Sequence, residues 1–117
     1  MKIRLDFDGT TLTGTLDDGA AANDFAALLP LELTLEDYAS TEKISDLPRK
    51  LSTAGAPEGT AASVGDITYY APWGNLAVFY RAFGYSAGLV RLGRIDSGIE
   101  VLRGAHSCSV KFDLVRE

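Results

Sequence analysis

The sequence predicts a mainly β fold, a small closed barrel with one or two short capping helices, and three observations carry that reading. Short segments of alternating apolar and polar residues recur along the 117 residues, each about one strand long and bounded by Gly, Pro, Asn or Asp. One early alanine-rich run has helical spacing. The stretch Leu76-Ala77-Val78-Phe79-Tyr80 is apolar throughout, as in a strand buried on both faces.

Ile3, Leu5 and Phe7 alternate with Arg4 and Asp6, the pattern of a half-buried strand. Asp8-Gly9 suits the positive φ angles of a two-residue hairpin turn, and Thr10 to Leu16 reads as the returning strand. Asp17 and Asp18 follow, and an Asp there is expected to cap a short helix running from about Ala20 to Leu29. Pro30 stops that helix, because the residue before a proline avoids helical angles. Leu31, Leu33 and Leu35 alternate with Glu32, Thr34 and Glu36 as a further strand. From Tyr38 to Leu51, the spacing of Ile44, Leu47 and Leu51 predicts a short helical or turn segment broken by Pro48. Ser52 to Ser63 is small and polar, and is expected to be the longest loop.

After Gly65, Ile67, Tyr69 and Ala71 alternate with Asp66, Thr68 and Tyr70. Pro72-Trp73-Gly74-Asn75 supplies a turn before the apolar run. Leu89 to Ile95 is another strand, interrupted by Gly93. Ser97-Gly98 opens a turn or helical piece reaching Arg103-Gly104. Ser107 to Val115 alternates again through Cys108, Val110, Phe112 and Leu114 as the last strand. Seven or so short strands with one early helix fit a closed barrel or curled sheet.

Length and composition favour one soluble domain over residues 1–117, with an ordinary apolar share of 46% and a charged share of 23%. The net charge is −5 and the pI about 4.8. The eleven Lys and Arg residues are scattered among acids, which speaks against a nucleic-acid partner. Apolar runs fall far short of the ~20 residues that span a bilayer, so no membrane association is expected. Cys108 is the only cysteine and His106 the only histidine, which rules out an intramolecular disulfide and a cysteine-based zinc site. No metal and no cofactor are expected. The charged start Met1-Lys2-Ile3-Arg4-Leu5-Asp6 lacks the apolar region of a signal peptide, and a cytoplasmic location is the simplest expectation.

Asp6-Phe7-Asp8-Gly9-Thr10 has the spelling of the aspartate-nucleophile motif of haloacid dehalogenase phosphatases, in which Asp6 would attack a phosphoryl group near Mg²⁺ and Asp8 would act as general acid. Its surroundings do not match. That chemistry sits on a parallel sheet built from crossovers of about 30 residues each, and this chain reads mostly as strands. A hairpin turn with two solvated acids is the expectation.

The fragments Leu29-Pro30-Leu31, Glu42-Lys43-Ile44 with Leu47-Pro48 and Leu51, Gly65 through Tyr80, and Gly88-Leu89-Val90 with Leu92-Gly93-Arg94-Ile95 occur in that order. Together they resemble a family of small bacterial and archaeal proteins with a cyclophilin-like fold, whose members have no determined function. The resemblance covers nearly the whole chain and implies a closed barrel with capping helical segments. It does not carry prolyl isomerisation across. True cyclophilins hold a Phe-His-Arg segment whose arginine donates to the prolyl amide, and no arginine lies between Lys50 and Asp66 here.

Tyr69, Tyr70, Trp73, Phe79 and Tyr80 crowd five aromatic residues into twelve positions. Alternation sends Tyr69 and Tyr70 to opposite faces, with nothing in the sequence to say which points inward. A tryptophan in a Pro-x-Gly-Asn turn belongs near the surface or at the rim of a pocket, where such a ring anchors ligands or partners. Two readings follow. In the first, Tyr38, Glu42, Tyr70, Trp73, Asn75 and Phe79 line a pocket at the barrel mouth for a small molecule or peptide. The second is a divergent prolyl isomerase or other small enzyme using Glu42, Lys43 or His106. Glu42-Lys43 is read as a loop pair, Asn75 foremost as a turn residue, and Cys108 as a buried structural thiol.

Overall fold

Hairpins build the sheet from its first residues. In the computed structural model, which describes residues 1–103 and 106–115, β1 (Lys2–Phe7) and β2 (Thr10–Leu16) pair antiparallel, with Phe7 opposite Thr10. Asp8 and Gly9 between them have φ angles of 50° and 76°, the two positive values of a type I′ turn. The phosphatase-like spelling is therefore a hairpin corner. Asp6 accepts hydrogen bonds from Thr11 Oγ1 at 2.7 Å and Arg4 Nε at 3.0 Å, and the Thr11 bond leads in holding its carboxyl below the usual range.

The helix α1 (Ala20–Ala27) ends two residues earlier than expected and is not capped by an aspartate. Gly19 takes the N-cap position, with no side chain bonded to the first turn. Asp17 instead faces Arg91, Oδ2 to Nε at 3.2 Å. The helix buries Ala21, Ala22, Phe25 and Ala26, and the Phe25 ring meets Phe112 edge-on with centroids 5.8 Å apart.

The remaining strands are β3 (Leu31–Tyr38), β4 (Glu42–Asp46), β5 (Gly59–Ala62), β6 (Asp66–Tyr70), β7 (Asn75–Phe79), β8 (Phe83–Ala87), β9 (Leu89–Ile95) and β10 (Cys108–Leu114). Eight of them close a barrel in the order β1-β10-β3-β4-β7-β6-β9-β2, with every described neighbour antiparallel. Ile3, Leu5, Leu35, Ile67, Tyr69, Leu76, Val78, Leu92, Val110 and Phe112 fill its interior. A 3₁₀ turn at Ile99–Leu102 adds the buried Leu102 to that core; its expected end at Gly104 lies outside the described residues.

Two expectations are corrected. The segment after Tyr38 is the strand β4, not a helical turn. Ile44 pairs with Glu36 on one side and Ala77 on the other, so strand pairing on both edges outweighs the local helical spacing. The three apolar residues do not share a face either: Ile44 packs outside the barrel, Leu47 and Leu51 against the main core. The loop expected over Ser52–Ser63 contains β5, which pairs with β8 as a separate two-stranded ribbon. Gly59 permits the pairing, because a Cβ there would overlap the Ser86 carbonyl oxygen and stand 2.8 Å from Tyr85 Oη.

The ribbon explains why β7 is buried along its whole length. Leu76 and Val78 point into the barrel, while Ala77 and Phe79 form a second cluster with Ala62 and Leu89 on the outer wall. Among the described residues, no helix is long and apolar enough to cross a membrane.

Candidate functional site

The hairpin register of β6 and β7 sets the site. Tyr69 lies opposite Leu76, and Tyr70 opposite Asn75. Because side chains alternate along a strand, the first pair enters the barrel and the second faces outward. Tyr69 is thus the inward tyrosine: it is in the core, and its Oη accepts from the Leu51 amide at 3.3 Å. Between the strands, Gly74 has φ 68° and its amide donates to the Tyr70 carbonyl at 2.9 Å. That turn lifts Trp73 to the surface, where it is 57% exposed.

Tyr38 closes β3 and lies across from Glu42, which opens β4 and itself lies across from Phe79. The register therefore gathers Tyr38, Glu42, Tyr70, Trp73, Asn75 and Phe79 around one cavity of about 200 Å³. Its place differs from the barrel mouth expected from the sequence. It opens on the outer wall of β4, β7 and β6, because these side chains have outward parity, and the ribbon edge covers it with Phe83 and Ser86. Those two residues escaped the sequence reading. The alternation of Phe83 and Tyr85 around Gly84 was the available signal for β8, diluted by its glycine and serine.

Aromatic rings wall the cavity. Trp73 meets Tyr38 at 5.7 Å and Tyr70 at 5.3 Å between centroids, both at 82°. Phe79 and Phe83 lie 5.9 Å apart. The polar members are Glu42 and Asn75. Burial pushes the Glu42 carboxyl up to about 7. Asn75 is only 3% exposed, and its Oδ1 has no hydrogen-bond partner; it is a strand residue rather than a turn residue. A buried polar atom left unbonded costs roughly 1–3 kcal/mol.

Lys43 and His106 do not join this site. Lys43 points the other way from β4, is fully buried, and donates to the His106 carbonyl oxygen at 2.5 Å. Its Nζ lies 3.7 Å from Asp37 Oδ1, to which Tyr80 Oη also donates. Burial, followed by the Asp37 bond, raises the Tyr80 phenol to about 12. The pair expected to be a solvated loop is thus split between two environments. The His106 residue itself borders a separate cleft of about 320 Å³ with Phe7, Asp8 and Cys108. Burial raises the Cys108 thiol against the pull of Lys43, which leaves it a weak nucleophile.

A closed antiparallel barrel with an aromatic cavity on its outer wall is the class this architecture defines. The chain belongs to the cyclophilin-like family, whose model matches residues 5–113. Among solved structures it is similar to the solution structure of the hypothetical protein AF2241 from Archaeoglobus fulgidus, with a TM-score of 0.66 and 15% identity over 97% of this chain and 93% of that one. At that identity the likeness concerns the fold alone. A search of curated proteins finds no match to this sequence.

Proposed function

We propose that this cyclophilin-like domain is a binding module that takes a small molecule or one side chain of a peptide in the cavity on its outer wall. The observation that carries the reading is a single cavity walled by Tyr38, Tyr70, Trp73 and Phe79 that also takes in the half-buried Glu42 and Asn75, whose Oδ1 is orphaned. Apolar walls with a few convergent polar groups are the usual makeup of a ligand pocket. At about 200 Å³ the cavity is smaller than the roughly 300–1,000 Å³ of drug-sized sites, so it suits a single functional group and its stem. The single cysteine fits a reducing, cytoplasmic setting.

Trp73 is the only tryptophan, so its fluorescence reports directly on occupancy. Screening small fragments and short peptides by Trp73 emission, with amide shifts mapped by NMR, tests the reading. Shifts clustering on Glu42, Asn75 and Phe79 are the expected result. Binding that maps elsewhere, or no binding, would sink it.

A further inference from the structure

We propose that the group this cavity takes is an organic ammonium, a lysine-like primary amine at the end of a short aliphatic stem. The inference rests on the binding reading above and narrows its ligand. Tyr38, Trp73 and Tyr70 stand at near right angles, each neighbouring pair at 82°. Rings so disposed present both faces and edges to the space beside them, and a ring face attracts a cation. Glu42 is the charged side chain of that space, and no cation pairs with it among the described residues.

The hydrogen-bonding chemistry selects the same class. Asn75 Oδ1 is a buried acceptor without a donor, and the ionised Glu42 offers only acceptors. An ammonium carries three donors and no acceptor, so it suits either acceptor; Glu42 lies opposite Phe79 and Asn75 opposite Tyr70, at the two ends of β7. An anion meets repulsion from Glu42, and an apolar group leaves both polar side chains unserved. The net charge of −5 also favours approach of a cation.

The cavity lining adds no second charge, and beyond it the Tyr80 phenol feels the charges of Asp37, Arg81 and Glu42. Neighbouring β3 and β6 contribute the phenols of Tyr38 and Tyr70, and β7 contributes Asn75, Ala77 and Phe79, while Phe83 and Ser86 come from β8 and Leu89 from β9. Lys43 leaves β4 on the opposite face toward Asp37 and the His106 carbonyl. Since burial holds the Glu42 carboxyl near 7, a cation binds against a proton there, and its affinity should rise between pH 5.5 and pH 8.

The test compares Nα-acetyl-lysine amide with Nα-acetyl-norleucine amide, which has the same four-carbon stem without the ammonium, and butylammonium with 1-pentanol, using Trp73 fluorescence and the Asn75 side-chain NMR signal. The lysine derivative should bind about tenfold tighter than norleucine, the scale of a desolvated cation–aromatic contact. Glu42→Gln should erase that preference and its pH dependence. Trp73→Leu, at an exposed position, should weaken lysine binding by NMR and keeps the test open if Glu42→Gln fails to fold. Equal binding of butylammonium supports the proposal with a free amine as source; binding of the lysine derivative alone supports it with a peptide side chain. Norleucine or pentanol binding as tightly overturns the ammonium class while leaving the cavity a binding site. Silence from every compound, fragments included, overturns both readings.

Discussion

Glu42 and Lys43 are neighbours in the chain and leave β4 on opposite faces, Glu42 into the outer cavity and Lys43 into the barrel, where its Nζ lies 3.7 Å from Asp37 Oδ1. One strand thereby serves two polar tasks. Its outer face supplies the candidate binding group. Its inner face supplies a cation that ties β3, β4 and the segment before β10 together through Asp37 and the His106 carbonyl oxygen.

Lys43→Met should destabilise the fold by about 3 kcal/mol, the range for removing one partner of a buried ion pair. The loss arises because Asp37, 13% exposed at its side chain, keeps its charge and only part of its support. Adding Asp37→Asn to Lys43→Met should recover some stability, since the amide can still accept from Tyr80. Urea unfolding of the single and double variants decides the matter. A double variant no more stable than Lys43→Met would show that the charge of Asp37 is not what the lysine offsets.

Glu42 gives the fold a pH dependence of definite sign. Its carboxyl rises from 4.5 to about 7 on folding through burial, so the native state favours the protonated form. The corresponding stability is fully present below about pH 4.5 and is lost as pH rises through about 7. Asp6 and Asp96, both lowered by hydrogen bonds, act in the opposite sense, and their contribution disappears only in more acid solution. Glu42→Gln should therefore flatten the decline between pH 5 and pH 7.5 in thermal unfolding. An unchanged slope would mean that another group titrates there.

The barrel was legible because its inward positions are Ile, Leu, Val and Phe in strict alternation, as in Ile3, Leu5, Leu33, Leu35, Val110 and Phe112. Tyr70, Trp73, Asn75 and Phe79 were legible because aromatic residues cluster around one turn, whereas Tyr38 and Glu42, far off in sequence, reach the cavity through the β3–β4 and β4–β7 pairing. Where the cavity opens was not legible, since parity becomes a direction only once one tyrosine of the Tyr69–Tyr70 pair is known to face inward. β4 was hidden because its inner face carries Lys43 where an apolar residue was expected. β5 and β8 were hidden because Gly-Thr-Ala-Ala and Phe-Gly-Tyr-Ser-Ala owe their strand state to each other and to the wall they cover, not to local preference.

Gly88 ties the ribbon to the aromatic turn. Its φ is 84°, and a Cβ there would lie 2.7 Å from Pro72 Cδ. Its carbonyl accepts from the Ala71 amide at 2.9 Å, and its amide donates to the Glu58 carbonyl at 2.8 Å. Gly88→Ala should cost more than about 1 kcal/mol, because neither the backbone angle nor the space accepts a side chain, and should change Trp73 emission by displacing Pro72. Gly84→Ala is the control. Gly84 has open space around its Cβ direction, so unfolding midpoints of the two variants should differ clearly, and equal midpoints would refute the role of the Pro72 contact.

Asn75 separates what the fold needs from what the cavity needs. A buried carbonyl oxygen without a partner costs stability wherever it stands, and replacing such a group by an apolar one of similar size is neutral or stabilising. Asn75→Leu should thus unfold at the same or a higher temperature, with a gain of up to about 1 kcal/mol, while ligand-induced Trp73 fluorescence changes are lost. That combination is the mark of a residue whose chemistry is held ready for a ligand at the expense of stability. A loss of more than about 2 kcal/mol would instead show that the amide is bonded within the folded chain, and the polar half of the cavity would then belong to the scaffold.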